Sequence, residues 1–379
     1  MDRRHFLVAS ACAGAAASAT ALPLQSPTSS QKGLTTADLI DITRVPGVAV
    51  VGKVRGKAVS EFFGVASAAT KHEITRDTIF PAASLSKVVF AWAVMDLVEA
   101  GKLSWDKPLA EYAELGLAGW AARITAQHAL THTTGLVNWR FKESDPLQSS
   151  FEPGTKWSYS GEGIFLLQRV VEKIVGGSVA AYMKSKVLPG LGINAGTFAW
   201  TPKLLENAAI GHQSNGEVME KSLAYYERSN YDVLTAAGLD PETATIEQIT
   251  AAYHQQKKPA LPIIISPNMA GSLWLKPEEY ASFAGKVLAR ASTRPQNFES
   301  KIDVNKKLGW TIGWGVDRSG AQPALFSYGD GPGTKNLAWI EPHNDTAVCV
   351  FTNGERGAGL YSGVLRRLLS EDAAVFYWV

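Results

Sequence analysis

The sequence of 379 residues contains only two cysteines, Cys12 and Cys349. Cys12 falls in an N-terminal segment that is predicted to be removed, so the mature chain would keep Cys349 alone and can form no intrachain disulfide. Charge is also sparse, since charged residues make up 19% of the chain and the net charge is +2. A nucleic-acid partner would call for a basic stripe, which is lacking, so none is expected. Hydrophobic residues make up 46%, which is typical of a globular protein with a large core.

Residues 1–21 have the pattern of an export signal. Arg3 and Arg4 lie in a short charged head, an uncharged stretch of apolar and small residues follows, and Ala19-Thr20-Ala21 offers a cleavage site. The Arg-Arg-x-Phe-Leu pattern resembles a twin-arginine signal and predicts export to the bacterial periplasm or secretion. A plain secretory signal or a cytosolic N-terminus are the alternatives. The stretch is too short and too alanine-rich for a membrane helix, so no stable membrane span is expected after signal removal.

The hydrophobic pattern predicts strands at both ends of the chain and helices between them. A hairpin is predicted over 47–63, further strands over 309–316, 324–328, 337–340 and 346–352, and a closing helix over 360–369. Between about 105 and 290, apolar residues recur with the helical period of 3.6. We therefore predict an α+β fold, an α/β sandwich. Its antiparallel sheet is built from both chain ends and flanked by helices, with a mostly helical domain inserted.

The predicted organisation has four parts, with the active site in the crevice between the two domains. They are an export signal (1–21), a linker (22–32), an α/β sandwich domain (33–110 and 291–379) and a mostly helical inserted domain (111–290). The sandwich domain carries the helix predicted to begin at Ser84. Within the insertion, residues 222–262 resemble a further insertion or a lid.

Ser84 is the candidate nucleophile, with Lys87 three residues further on. The Ser-x-x-Lys spacing occurs three times, at Ser29, Ser84 and Ser104, so spacing alone is weak. Only Ser84 opens a predicted helix, 84–100, whose apolar residues on nearly every side indicate burial. Residues three apart share a helix face, and burial lowers the pKa of an amine towards that of a useful base. A serine hydroxyl needs such a base to become a nucleophile. The alternative is a helix-capping serine beside a lysine that reaches to solvent.

Several segments follow one another in a recognisable order. They are Phe80-Pro-Ala-Ala-Ser-Leu-Ser-Lys87, Leu97-Val-Glu-Ala-Gly-Lys-Leu103 with Asp106-Lys-Pro108, Ile124-Thr-Ala-Gln-His-Ala-Leu-Thr-His-Thr-Thr-Gly-Leu136, Glu152-Pro-Gly-Thr-Lys-Trp-Ser-Tyr-Ser-Gly161, and Leu308-Gly-Trp310 with Gly313-Trp-Gly315. Together they resemble the β-lactamase-related serine hydrolases, which comprise class C β-lactamases, D-alanyl-D-alanine carboxypeptidases and related esterases. The resemblance runs from about Pro46 to the C-terminus.

The resemblance implies a role for each motif residue. Ser84 would be the acylated nucleophile, and Lys87 and Tyr159 would share general-base and general-acid work. A phenol with a pKa near 10 would act as a base if two ammonium groups stabilised its anion. The oxyanion would be held by the N–H groups of Ser84 and of a residue on the strand edge after the third motif, Asp330.

Two positions depart from the family pattern. The second motif usually reads Tyr-x-Asn, but here it is Tyr159-Ser160-Gly161, so the amide that would hold a carbonyl of the substrate side chain is absent. The third motif usually opens with Lys or His, but here it is Ser327-Tyr328-Gly329. These substrate-binding positions therefore lack a cation for a carboxylate or for Tyr159, unless Lys335 or Arg356 replaces it.

Other chemistries are less well supported. His128 and His132 have the i, i+4 spacing of a metal pair, but no third ligand is evident, so hydrogen bonding is the expected role and no metal or cofactor is predicted. Ser160 lacks the preceding glycine of a Gly-x-Ser-x-Gly nucleophile. The glycine cluster 329–333 lacks the Gly-Lys-Ser/Thr ending of a phosphate loop and predicts a tight turn.

The sequence thus predicts an exported serine hydrolase that forms an acyl-enzyme on Ser84. Its expected partners are small esters, amides or β-lactam-like molecules. The departures at Gly161 and Ser327 favour esterase or weak peptidase activity over efficient β-lactam hydrolysis. The alternative is a ligand-binding protein of penicillin-binding type, on the same fold, in which those two positions impair catalysis.

Overall fold

An antiparallel sheet joins the two ends of the chain in the computed structural model, which describes residues 33–294 and 298–378. Within these residues its order is β2-β1-β10-β9-β8-β7-β6-β5. A short ladder of β3 and β4 lies apart from it. The strands are β1 (Gly47–Val54), β2 (Lys57–Gly64), β3 (Phe80–Pro81), β4 (Trp274–Leu275), β5 (Ile302–Asp303), β6 (Leu308–Trp310), β7 (Gly315–Asp317), β8 (Ala324–Gly331), β9 (Thr334–Glu341) and β10 (Thr346–Thr352). Because β1 pairs with β10, the sheet is built from both chain ends, as predicted.

Helices cover both faces of this sheet and form most of the middle of the chain. They are α1 (Thr36–Thr43), α2 (Ser86–Glu99), α3 (Ala126–Leu130), α4 (Gly161–Val175), α5 (Val179–Tyr182), α6 (Leu188–Leu191), α7 (Leu223–Ala236), α8 (Ile246–Gln255), α9 (Pro277–Thr293) and α10 (Gly357–Leu369). No helix in the described ranges is long and apolar enough to cross a bilayer. The predicted α+β sandwich class is confirmed.

The strands alternate their side chains between two hydrophobic cores, as the period of two requires. In β1, Val48 and Val50 join the core under α1 and α10, whereas Ala49 and Val51 join the core under α2 and α9. Cys349 of β10 belongs to the second of these cores and is fully buried. Helix α2 is thus held between the sheet and the helical part of the chain, which fixes the position of its first turn.

Several predicted boundaries were wrong, including the start of β9 (Thr334 and not 337) and the start of α10 (Gly357 and not 360). The helix predicted from Ser84 starts at Ser86, after a 3₁₀ turn over Ala83–Leu85. The strand predicted over 309–316 is two strands, β6 and β7, because Gly313 adopts a left-handed φ of 81° and turns the chain. Strand β8 continues to Gly331, well past the predicted end at 328, since β9 pairs with it along its whole length.

The predicted export signal (1–21) and linker (22–32) lie outside the described residues and stay predictions. From Leu34 onward the chain forms one compact unit. The predicted division of that unit into a sandwich domain and a helical insertion over 111–290 also stays a prediction.

Gly52 gives a direct test of the sheet register. It has a φ of 130°, and a Cβ there would overlap the carbonyl oxygen of Ala347 on β10. We expect Gly52→Ala to lower the free energy of unfolding by about 2 kcal/mol or more. The control Gly285→Ala lies in α9 with open space around its Cβ position and should raise that free energy by about 0.5–1 kcal/mol. Guanidinium unfolding measures both, and a neutral Gly52→Ala would contradict the register.

Candidate active site

Ser84 lies in the 3₁₀ turn that leads into α2. The preceding residue, Ala83, adopts a left-handed φ of 48°, which is uncommon for a residue with a side chain and typical of strained functional sites. Ser86 fixes this turn, because its buried hydroxyl donates to the Ala83 carbonyl at 2.6 Å and accepts from the Leu273 N–H at 3.1 Å. Ser84 does not cap α2, whose N-cap residue is Leu85. Ser84 as a residue is partly exposed, whereas its neighbours Ala83 and Leu85 are buried.

Lys87 is a buried lysine whose amine contacts the candidate nucleophile. Its side chain is on the first turn of α2 and the residue is 4% exposed. The Nζ atom donates to Ser84 Oγ at 2.8 Å and to the Ala270 carbonyl oxygen at 2.7 Å. Burial lowers the pKa of Lys87 to about 7. The amine is therefore half neutral near pH 7 and can accept the proton of the Ser84 hydroxyl.

Tyr159 completes the group. Its hydroxyl is hydrogen-bonded to Ser84, and Lys87 Nζ lies 5.1 Å from the centroid of its ring. Burial, followed by the proximity of Tyr328 and Asp330, raises the pKa of Tyr159 well above its usual range, although the bond with Ser84 opposes the shift. An anionic Tyr159 was conditional on two ammonium groups, and Lys87 is the one amine in contact with its ring among the described residues. The Tyr159 hydroxyl is therefore neutral in this site.

His132 orients the second motif. Its Nδ1 accepts the Ser160 N–H at 3.2 Å, and its ring packs on that of Tyr159 with centroids 4.2 Å apart. Burial and the charge of Lys87 lower the pKa of His132 well below its usual value, so the ring is neutral. His128 Nδ1 accepts the Thr125 N–H at 3.2 Å instead. No three His, Cys, Asp or Glu side chains cluster in metal-binding geometry within 33–294 and 298–378.

Strand β8 forms the opposite wall of the site. Pairing with β7 stops at Phe326, so the segment from Ser327 to Gly331 pairs with β9 alone. Ser327 is buried and lines the Ser84 cavity together with Tyr328, whose ring stacks on Tyr159 at 6.0 Å. A Cβ at Gly329 would overlap the Ala82 carbonyl oxygen, so only glycine lets β8 lie this close to the nucleophile turn.

Neither candidate replacement for the missing cation lines the cavity around Ser84, as far as the structure describes it. Lys335 pairs with Asp330 at 2.6 Å and with Glu355 at 3.0 Å. Burial lowers its pKa, but the bonds to these two carboxylates outweigh burial and raise it, so its charge is already neutralised. Arg356 is exposed at the N-cap of α10. The Asp330 carboxylate accepts a hydrogen bond from Lys335, so the part of Asp330 that remains available to a substrate is its backbone.

Gly161 is not among the residues that line the cavity. A Cβ at this position would overlap the Cζ2 and Cη2 atoms of Trp139 and would lie 2.6 Å from Cε2. The indole of Trp139 therefore occupies the space into which the amide of a Tyr-x-Asn motif would extend.

A mostly buried segment, residues 266–273, contacts Lys87 and is called the strap; it was not identified from the sequence. Its Ala270 carbonyl accepts a hydrogen bond from the Lys87 amine. Gln168 of α4 holds the strap in place, because its side chain donates to the Pro267 carbonyl at 3.0 Å and accepts the Met269 N–H at 2.8 Å. Asn230 of α7 donates to the Ser266 carbonyl at 2.6 Å. Every residue type has a backbone carbonyl, so the sequence could not identify Ala270 as the acceptor. The polar residues of this segment were only a weak indication of its role.

The segment 222–262, which resembled a lid, supports this strap. Asn230 accepts from the Ser266 N–H at 3.1 Å and from the Tyr253 hydroxyl of α8 at 3.0 Å. Glu227 of α7 is buried, and burial raises its pKa to about 7, an effect that the side chains of Ser266 and Ser272 oppose. Helix α7 thereby holds the backbone that in turn holds Lys87.

Comparison with known proteins shows the family of the chain. A model of the beta-lactamase family matches residues 35–370. Penicillin-binding protein 4* of Bacillus subtilis (strain 168) is 25% identical over 323 residues, covering 77% of this chain and 65% of that protein. Esterase EstB of Burkholderia gladioli is 31% identical over 163 residues, covering 34% of this chain and 41% of the esterase.

The fold has counterparts among solved structures. A class C beta lactamase from Rhodobacter sphaeroides superimposes with a TM-score of 0.66 and 17% identity, covering 88% of this chain and 97% of that one. The chain spans 34% and 65% of the length of the first two curated relatives that it matches. Since the family model matches most of its length, the chain belongs to the beta-lactamase family, the β-lactamase-like serine hydrolases among which penicillin-binding proteins and esterases are also found.

Proposed function

We propose that the protein hydrolyses carboxylic esters through an acyl-enzyme on Ser84. The observation that carries the proposal is the contact of 2.8 Å between the Ser84 hydroxyl and the buried Lys87 amine. A hydroxyl beside a base of matched pKa is the arrangement that covalent catalysis requires. The neutral amine of Lys87 takes the Ser84 proton while Oγ attacks the ester carbonyl.

The oxyanion that forms is held by two backbone N–H groups. One belongs to Ser84, and the other to Asp330 on the free edge of β8. Gly331 and Thr334 flank a two-residue turn and pair with each other, so the N–H of Gly331 points at β9. Because successive residues of a strand point their N–H groups to opposite edges, the N–H of Asp330 points away from β9. Such preorganised donors stabilise the transition state directly.

Tyr159 supplies the proton for the leaving group. Its neutral hydroxyl is bonded to Ser84 and can donate to the departing alkoxide, and the protonated Lys87 restores that proton. Water then attacks the acyl-enzyme while Lys87 takes its proton. The bond between the acyl carbon and Ser84 Oγ breaks, Lys87 returns the proton to Oγ, and the carboxylic acid is released. Each bond that forms is matched by one that breaks, and no cofactor takes part in these steps.

Esters are favoured over β-lactams and peptides for two reasons. Ser327 gives no positive charge for the carboxylate of a β-lactam, and Gly161 gives no amide for a side-chain carbonyl. An alkoxide also leaves more readily than an amine, so an ester makes a smaller demand on the acid. The likeness to esterase EstB supports this choice of substrate class. The export predicted from residues 1–21 remains a separate proposal.

Covalent labelling tests the nucleophile. A fluorophosphonate probe should label the peptide that contains Ser84, and Ser84→Ala should abolish labelling and lower ester hydrolysis by about 10³-fold or more. The matched control is Ser104→Ala, which alters another copy of the Ser-x-x-Lys spacing and should leave both unchanged. Retained hydrolysis in Ser84→Ala would refute the proposal. Ligand binding without turnover for every ester, β-lactam and D-alanyl-D-alanine substrate tried would instead support the impaired binding protein.

The pH dependence of acylation tests the base. Protonated Lys87 cannot accept the serine proton, so the rate should rise with pH to a plateau, with a midpoint at about 7. At two pH units below the midpoint the rate should fall about 100-fold. His132 and Tyr159 have pKa values shifted out of this range and should not contribute.

Two variants complete this experiment, which follows single-turnover acylation by stopped flow. Lys87→Met should remove the pH-dependent phase, whereas Lys107→Met, which alters an exposed lysine paired with Glu111, should leave the profile unchanged. A flat profile between pH 5 and pH 9, or one with its midpoint near the ordinary lysine pKa, would show that Lys87 is not the base.

A further inference from the structure

Trp139 and Gly161 form a matched pair beside the catalytic group. The indole occupies the place in which any side chain at position 161 would lie, with a Cβ there 2.6 Å from Trp139 Cε2. Gly161 follows Tyr159 by two residues, and the intervening Ser160 is extended, so their Cα atoms lie about 7 Å apart. The indole therefore lies at the position where the second motif would contact the side chain of a substrate.

The loop that carries Trp139 is fastened to the start of α4. Asn138 accepts the Gly161 N–H with its side-chain oxygen at 2.9 Å, and Ser160 donates to the Val137 carbonyl at 2.9 Å. On the other side of Trp139, the Arg140 N–H donates to buried Glu162 at 2.9 Å. With contacts on both flanks, the position of the indole is built into the fold.

Trp139 also lines an open cleft of about 760 Å³. Its walls include Phe141 and Val137, which are 73% and 56% exposed, an unusual exposure for large apolar side chains. The guanidinium of Arg140 in this wall is paired with Glu162 at 3.3 Å, so its charge is compensated. The lining also contains Asp145, whose carboxylate accepts the Lys142 N–H at 3.0 Å. Exposed apolar side chains around a cleft mark a ligand-binding groove, and here they favour an apolar group without negative charge.

We propose that Trp139 is the specificity-determining wall of a subsite for an apolar acyl group, either aryl or straight alkyl, on the ester that Ser84 attacks. The inference rests on the proposed function. It assigns the acyl side because the amide missing at position 161 would contact a carbonyl of the substrate side chain, which belongs to the acyl part. An indole in its place offers stacking and apolar contact, and Phe141 continues that surface outwards.

The test is the selectivity of the full chain for 4-nitrophenyl esters with acetyl, butyryl, hexanoyl and phenylacetyl groups. The wild type should show kcat/KM rising from acetyl to the longer and aryl groups. Trp139→Ala should lower the hexanoyl-to-acetyl ratio by about tenfold or more, with the acetyl ester hardly affected, because the loss is confined to groups that reach the subsite. Phe141→Ala should act in the same direction, and Trp139→Phe should retain most of the selectivity.

Trp120→Ala provides the matched control, since this tryptophan is 49% exposed and does not line the cleft. It should leave the ratio unchanged. A second series of alkyl acetates, which varies the alcohol with a fixed acyl group, should not respond to Trp139→Ala. If only this series responds, the acyl assignment is wrong.

The outcomes separate the two proposals. Ser84-dependent hydrolysis with an unchanged acyl ratio in both Trp139→Ala and Phe141→Ala would overturn the subsite and leave the proposed function standing. An equal loss for all esters would reduce Trp139 to a structural role and would also overturn it. Absence of any Ser84-dependent hydrolysis would refute the proposed function, and the subsite with it.

Discussion

The burial of one amine governs this site. Lys87 Nζ has left water for two acceptors, the Ser84 hydroxyl and the Ala270 carbonyl, and a cation is costly in such surroundings. The neutral form is thereby brought within reach at neutral pH. The surrounding structure excludes water from that amine, since α2 packs in the large core beside the sheet and the strap supplies the Ala270 carbonyl.

The fold was predictable because its signals are local and periodic. Alternation in β1 and β10 and the apolar surface of α2 each follow from a few neighbouring residues. The boundaries that failed depended on distant partners. The end of β8 is set by its pairing with β9, and the two-strand form of 308–317 by the turn at Gly313.

In the candidate site, too, the features set by nearby residues were predicted and those set by distant parts of the chain were not. The contact of Ser84 with Lys87 follows from helical spacing, and Tyr159 was identified through its motif and now lies in hydrogen-bonding contact with Ser84. The acceptor at Ala270 and the support from α7 were missed because a backbone carbonyl is contributed by every residue type. Whether Tyr159 could ionise was left open by its motif, because its protonation depends on burial, which raises the pKa of the phenol and which only the folded chain shows.

Gly329 has a wider consequence. At Gly329, β8 approaches the turn before Ser84 backbone to backbone, and the Asn336 amide of β9 holds that turn by donating to the Pro81 carbonyl at 2.9 Å. The spacing between the nucleophile turn and the strand edge is thus set by Gly329 and Asn336, and not by Ser327 or Gly161, the positions that depart from the family pattern. A scaffold of this kind can exchange the groups that recognise a substrate while the reactive hydroxyl and the strand edge stay in register.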